Sequence, residues 1–309
     1  MFDREMLVFS IPGFSDPVSA MTHLLGAGVF AVLGFFLVRR GRHVDASGWN
    51  WRMTGITVFV FAAVAQLAIS GAYHILQPGL APRLVMRQID HTAIFILIAA
   101  TFVPVHAILF KGWRRWLILL ILFSLAATGI TCQFLYFSGL PEIFWLTFYI
   151  AMGWVGVYSG YALYRRYGWA FIRPLIWGGV AYTLGGTIEF LRRPVLIEGV
   201  LGPHELLHLA VLAGLGFHFR FVFSFAGKRF KEIPSVKVLN SLENSAGDHC
   251  VDIFERDDGT FGFEECRRDA EDQRGWFSLH RYSHQVFATA EAALAQAKSR
   301  VEWMATERG

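Results

Sequence analysis

The chain has little charge and little cysteine. Of its 309 residues only 17% are Asp, Glu, Lys or Arg and three are Cys, whereas 54% are hydrophobic. A soluble globular chain carries about 25% charged residues, so this scarcity argues against a wholly water-exposed fold. Cys132, Cys250 and Cys266 do not form a disulfide framework or a metal set. Cys132 falls in an apolar stretch, and a hairpin with a two-residue turn would set Cys266 opposite Val251 instead of Cys250, so three free thiols are expected. The sequence also lacks a nucleotide-binding glycine motif and internal repeats, and nothing in it points to nucleic acid. No positively charged leader with a small-residue cleavage site precedes the first apolar stretch, which is therefore expected to stay in the mature protein.

Long hydrophobic runs are what the chain does have. A spanning helix needs roughly 20 mostly apolar residues. Seven stretches qualify, near 17–38, 53–75, 87–110, 116–137, 142–164, 170–190 and 204–226. They predict an all-α membrane protein with a seven-transmembrane-helix bundle over 17–226, preceded by an N-terminal segment, 1–16. Lys and Arg concentrate on the cytoplasmic side of membrane proteins. Arg39, Arg40, Arg42 and Arg52 follow the first span, Lys111, Arg114 and Arg115 the third, Arg165 and Arg166 the fifth, and Lys228, Arg229 and Lys231 the seventh. The N-terminus is thus expected outside and the C-terminus in the cytoplasm, with a bacterial inner membrane as the location, although Arg83, Arg87, Arg192 and Arg193 fall on the other side.

Residues 235–309 have dense charge and no apolar run, and read as a small α+β soluble appendage. Val251 to Phe254, Asp257-Asp258-Gly259 and Phe261 to Phe263 make a hairpin pattern. Thr289 is a cap for a helix to about Met304, whose Ala293, Leu294, Ala297 and Val301 share one face and would cover the hairpin. Roughly 70 residues bury only a thin core. A cytoplasmic docking or stabilising module, with a cytoplasmic partner, is the reading for this part.

The polar residues inside the apolar spans carry the chemistry. In an up-down bundle the starts of odd spans and the ends of even spans share one face of the membrane. His23, Ser70, His74, Asp90, Glu189, His204 and His208 all fall at that face. Residues four apart share a helical face, so Ser70 pairs with His74 and His204 with His208. Three imidazoles at one depth in a bilayer are costly and need a shared partner. His74, His204 and His208 with water as a fourth ligand describe a catalytic Zn2+ site more than a closed structural one. Asp90 is placed to orient or deprotonate the water, and Ser70 to steady it or an oxyanion. Other nitrogen-seeking divalent ions remain open.

Simpler roles compete at each position. His23 reads as a helix-packing hydrogen-bonder, His91 as an interhelical hydrogen bond, Glu189 as a neighbour of Arg192 or Arg193, and Asp90 alternatively as a partner of Arg87. His106 lies sixteen residues beyond Asp90, roughly 24 Å along a helix, and His218 is likewise deep, so neither is expected at the site. A haem would be bracketed by His74 and only one of His204 and His208, leaving the other unexplained.

The stretch Ser19-Ala20-Met21-Thr22-His23-Leu24-Leu25-Gly26 resembles the first-span signature of the hemolysin III proteins, grouped with the progestin and adipoQ receptors and the alkaline ceramidases. Ser70-Gly71-Ala72-Tyr73-His74, Gln88-Ile89-Asp90-His91-Thr92-Ala93-Ile94-Phe95 and His204-Glu205-Leu206-Leu207-His208-Leu209 resemble its later motifs in order, so the likeness covers about 15–226. It implies a seven-helix bundle with zinc on His74, His204 and His208, and Ser70 with Asp90 as the catalytic-type pair. The appendage departs from that family core, and the expected N-out orientation is more like the ceramidase branch than the adiponectin receptors. The leading expectation is a zinc-dependent intramembrane hydrolase of a lipid amide, ceramide-like, or related acyl bond, with the lipid entering from the bilayer. A receptor-like or membrane-homeostasis protein with structural zinc is the alternative, and a pore-forming hemolysin a weaker third.

Overall fold

The computed structural model describes residues 8–44, 50–136, 139–228, 237–256, 259–268, 276–279 and 281–306. Most of the expected N-terminal segment, Ser138, Arg229, Lys231 and the Asp257-Asp258 part of the expected turn lie outside them. The chain divides into two compact units, Met1–Arg229 and Phe230–Gly309.

The first unit is helical: α1 (Pro17–Arg42), α2 (Trp51–Ile75), α3 (Ala81–Leu109), α4 (Gly112–Tyr136), α5 (Glu142–Trp154), α6 (Gly156–Tyr167), α7 (Trp169–Leu191) and α8 (Pro203–Ala226). Local chemistry sets several ends. Proline stands in the first turn of α1, α3 and α8, where a missing N–H costs nothing. Asn50 caps α2 by accepting from the Met53 N–H at 3.1 Å. Gly168, at φ +78°, separates α6 from α7. Arg40 donates to the Phe223 carbonyl and Arg52 to the Ala226 carbonyl, satisfying groups that the last turn of α8 leaves open.

Among the described residues six helices are long and apolar enough to cross a membrane: Pro17–Arg42, Trp51–Ile75, Ala81–Leu109, Arg115–Tyr136, Glu142–Tyr167 (α5 and α6 together) and Pro203–Ala226. The stretch expected near 170–190 is also helical, as α7, but its glycines Gly178, Gly179, Gly185 and Gly186 and its Trp, Tyr and Thr side chains dilute its apolarity. Leu25, Phe36, Phe61 and Leu120 point outward and are exposed, a surface that suits lipid more than water.

Close approach between helices uses small residues. A Cβ on Gly185 of α7 would sit 2.6 Å from the Ala210 Cβ of α8, and one on Gly55 of α2 would meet the Pro104 backbone of α3 at 3.0 Å. Between α3, α4 and α5 the core is filled by Phe95, Ala99, Leu122, Ala126, Trp145 and Met152.

The second unit holds β1 (Lys237–Glu243), β2 (His249–Glu255), β3 (Phe261–Arg267), β4 (Phe277–Ser278), α9 (Ala290–Arg300) and α10 (Glu302–Thr306). The strands form one antiparallel sheet in the order β1-β2-β3-β4. The expected helix is there, capped by the Thr289 side chain on the Ala292 N–H, and broken at Val301 before α10. Ala293, Ala297, Val301 and Met304 pack on Val251, Ile253 and Phe263, with Leu294 half-buried at the edge.

The hairpin register differs from expectation by one residue. Cys250 faces Cys266, not Val251. The Arg256 N–H donates to the Thr260 carbonyl at 2.7 Å, and the Gly259 N–H to the Arg256 carbonyl, with Gly259 at φ +77°. The loop is therefore three residues long with glycine in the left-handed region, a common hairpin type. Each residue added to a loop shifts the register, which is why the two-residue assumption fails. All three cysteines are free thiols.

Candidate metal centre

The end of α2 and the first turns of α8 bring His74, His204 and His208 together. Ring centroids are 5.0 Å apart for His74 and His204, 4.8 Å for His74 and His208, and 4.7 Å for His204 and His208. One nitrogen from each can be chosen so that all lie within 4.8 Å of one another. His74 and His208 are buried and His204 half-buried. The one-turn spacing of His204 and His208 does what helical geometry requires of it.

His74 and His204 each spend one nitrogen on a carboxylate. His74 Nδ1 lies 2.8 Å from Asp16 Oδ2, and His204 Nδ1 lies 3.5 Å from Glu189 Oε1. A carboxylate only accepts, so these contacts place the proton on Nδ1 and leave a lone pair on Nε2. The two Nε2 atoms then face each other at 3.3 Å. His208 lies against the Ser19 backbone, and its Nδ1 is buried without a hydrogen-bond partner.

With both rings neutral, lone pairs held at that distance repel, and a cation between them turns repulsion into attraction. Two nitrogens on a tetrahedral zinc, with Zn–N near 2.0–2.1 Å, are about 3.3–3.4 Å apart, which matches the observed separation. The residues therefore fit a metal ion, and His208, whose Nδ1 is orphaned, completes the group of three.

Asp16, the last residue of the expected N-terminal segment, is tied in from two sides. Its Oδ2 also accepts from Arg83 at 2.7 Å, and Arg83 donates to the Leu76 carbonyl. Burial works against the charged carboxylate, but the hydrogen bonds from His74 and Arg83 outweigh it and hold the Asp16 pKa below its ordinary value. Glu205, between the two histidines of α8, accepts from the Ser19 hydroxyl at 3.0 Å and from the Gly202 N–H at 2.9 Å, fixing the start of α8 to α1. No periodicity announces these contacts; the one hint is that Glu205 stands between His204 and His208.

Ser70 and Asp90 are both buried and adjacent, and Asp90 accepts from Gln66 Nε2 at 3.1 Å. Gln66, one turn before Ser70, escaped the sequence reading. His23 does not make the expected hydrogen bond. Its ring stacks on His208 with centroids 3.7 Å apart, and both its nitrogens are buried without hydrogen-bond partners. Glu189 binds Arg192 at 2.7 Å as well as approaching His204. His106 pairs with Ser159 at 2.9 Å, His218 lies beside Tyr182, and the His91 carbonyl accepts from the Tyr149 hydroxyl; none of the three joins the ligating group.

Apolar helices with outward-facing hydrophobic side chains, closing around a histidine cluster able to bind a metal ion, define a multi-pass integral membrane protein. Within that class the chain belongs to the haemolysin-III-related family, which residues 14–219 match. It is 27% identical over 197 residues to Hemolysin-3 of Bacillus cereus, covering 63% of this chain and 84% of that protein. It is also 27% identical over 198 residues to the Hemolysin-3 homolog of Bacillus subtilis (strain 168), covering 63% of this chain and 87% of that one.

Proposed function

We propose that the helical unit is a seven-span bundle, N-terminus out and C-terminus in the cytoplasm of a bacterial inner membrane, that holds Zn2+ on His74, His204 and His208 and hydrolyses an amide or ester bond of a membrane lipid. The carrying observation is the pair of Nε2 atoms at 3.3 Å beside a third buried imidazole with an orphaned nitrogen. In this reading α7 is the remaining span, since 23 residues suffice for the hydrocarbon core when packed against α8. When bound, the ion supplies Lewis acidity to an acyl carbonyl and to water.

The chain's own side chains divide the remaining work. Asp90 takes a proton from the attacking water and passes it to the leaving nitrogen or oxygen as the acyl C–N or C–O bond breaks, releasing a fatty acid and a free amine or alcohol. Gln66 and Ser70 hold that carboxylate in place, and Ser70 donates to the developing oxyanion. Asp16 and Glu189 fix the tautomers of His74 and His204. An apolar recess of about 210 Å3, lined by Phe9, Ile11, Val18, Val200 and Glu205, lies at the first turn of α8 and suits an acyl chain. Ceramide-like amides are the first substrates to try.

The test is fatty-acid release by zinc-replete protein from a panel of ceramides and phospholipids. The wild type releases fatty acid, and Ser70→Ala and Asp90→Ala keep their metal but lose turnover. No release from any lipid, with both variants indistinguishable from wild type, would leave the other reading: a receptor-like or homeostatic protein in which the ion is structural. The carboxylate ties on His74 and His204 serve that reading equally.

A further inference from the structure

Residues 237–306 lie beyond the part of the chain that matches the family, and their sheet carries a second ligating group. The three-residue hairpin loop sets Cys250 directly opposite Cys266 on β2 and β3, and Asp252, two residues along β2, projects from the same face. One ligand atom from each lies within 4.8 Å of the others, with Cys266 Sγ 3.9 Å from Asp252 Oδ2. This is the face opposite to Val251 and Ile253, which α9 covers. The register on which the expectation of no metal set rested is thus not the one observed.

We infer that Cys250, Cys266 and Asp252 form a binding site for a thiophilic divalent cation of the zinc class, separate from the histidine cluster. The donor set is what such an ion selects: two sulfurs and a carboxylate oxygen. Ligands on a tetrahedral zinc with Zn–S near 2.3 Å stand about 3.7 Å apart, so the Cys266–Asp252 spacing of 3.9 Å needs only a small closure. Both thiols are almost wholly buried, and the half-buried Asp252 gives the ion a route from solvent. The Ser241 hydroxyl donates to Asp252 Oδ1 at 2.6 Å, orienting the carboxylate and leaving Oδ2 toward Cys266. Glu243 stands opposite Cys250 on β1 and Glu264 opposite Asp252 on β3, adding negative potential around the donors.

Burial, reinforced by Cys250 and Asp252, pushes the Cys266 thiol up to about 12, and burial also raises Cys250. Cation binding replaces two S–H bonds by two metal–sulfur bonds and releases two protons to solvent, with no change of oxidation state. A disulfide would be the competing use of two cysteines facing each other, but it would leave the third donor, Asp252, without purpose.

The experiment is a Cd2+ titration of the reduced, metal-stripped full-length protein in detergent, followed by the ultraviolet thiolate-to-cadmium charge-transfer band. Histidine ligation gives no such band, so the readout is blind to the membrane cluster. The wild type and Cys132→Ser should titrate sharply to one thiolate-bound ion. Cys250→Ser and Cys266→Ser should lose the band, and Asp252→Asn, which keeps both thiols, should turn the sharp titration into a weak one. A wild type without the band, or an Asp252→Asn that titrates as sharply as wild type, would overturn the site. So would recovery of Cys250 and Cys266 as a disulfide from cells lysed with a thiol-blocking reagent.

Discussion

The histidine cluster of the helical unit and the thiol cluster of the strand unit are built alike and differ in how their donors are brought together. Both gather three donors, two of them buried, and both hold at least one donor by a hydrogen bond with a neighbour. In the helical unit two donors come from one turn of α8 and the third from α2, so helical pitch and the alternation of spans decide their meeting. In the strand unit the meeting depends on the length of a single loop. A cluster made by pitch tolerates errors in element boundaries, whereas a cluster made by register is lost with a shift of one residue.

The sharpest separation of the two regions comes from the strand unit's core. Phe263→Ala should remove about 3–5 kcal/mol from that unit, since Phe263 is wholly buried against α9. Hydrogen exchange should then show lost protection in β2 and β3, while the metal content of the histidine cluster stays unchanged. A fall in both would mean that the units do not stand independently.

Asp16→Asn should weaken metal binding at the histidine cluster by about 10–100-fold, because the variant no longer fixes the proton on His74 Nδ1. A competition titration against a chelator reads this, and an unchanged affinity would reduce Asp16 to a partner of Arg83. Gly185→Val should cost about 1–3 kcal/mol by overpacking α7 against α8, where the nearest Ala210 atom is already 2.6 Å from an added Cβ. A lowered melting temperature in detergent is the check. The smallest effect is at the cap of α9: Thr289→Ala should cost about 1 kcal/mol, detectable only in the strand unit.

Much of this was legible before any coordinates. Apolar length placed α1 to α4 and α8, and counting their directions put His74 beside His204 and His208 and Ser70 beside Asp90. The Thr289 cap and the Ala293, Ala297 and Val301 face were plain from local pattern. What stayed hidden were contacts that no periodicity encodes. Asp16 reaches His74 across 58 residues and Ser19 reaches Glu205 across 186, through single hydrogen bonds. The stacking of His23 on His208 was hidden too, because a buried histidine is expected to seek a hydrogen bond. The register of Cys250 on Cys266 turned on Gly259 adopting a positive φ in a three-residue loop.

Elemental analysis of protein purified without added metal, comparing the Cys250→Ser, Cys266→Ser background with the same chain carrying His74→Ala, His204→Ala or His208→Ala, tests the histidine site most directly. With the thiols removed, the background should retain one equivalent of zinc and each histidine variant should lose it. A full equivalent retained in all three histidine variants would contradict a metal centre built on these residues.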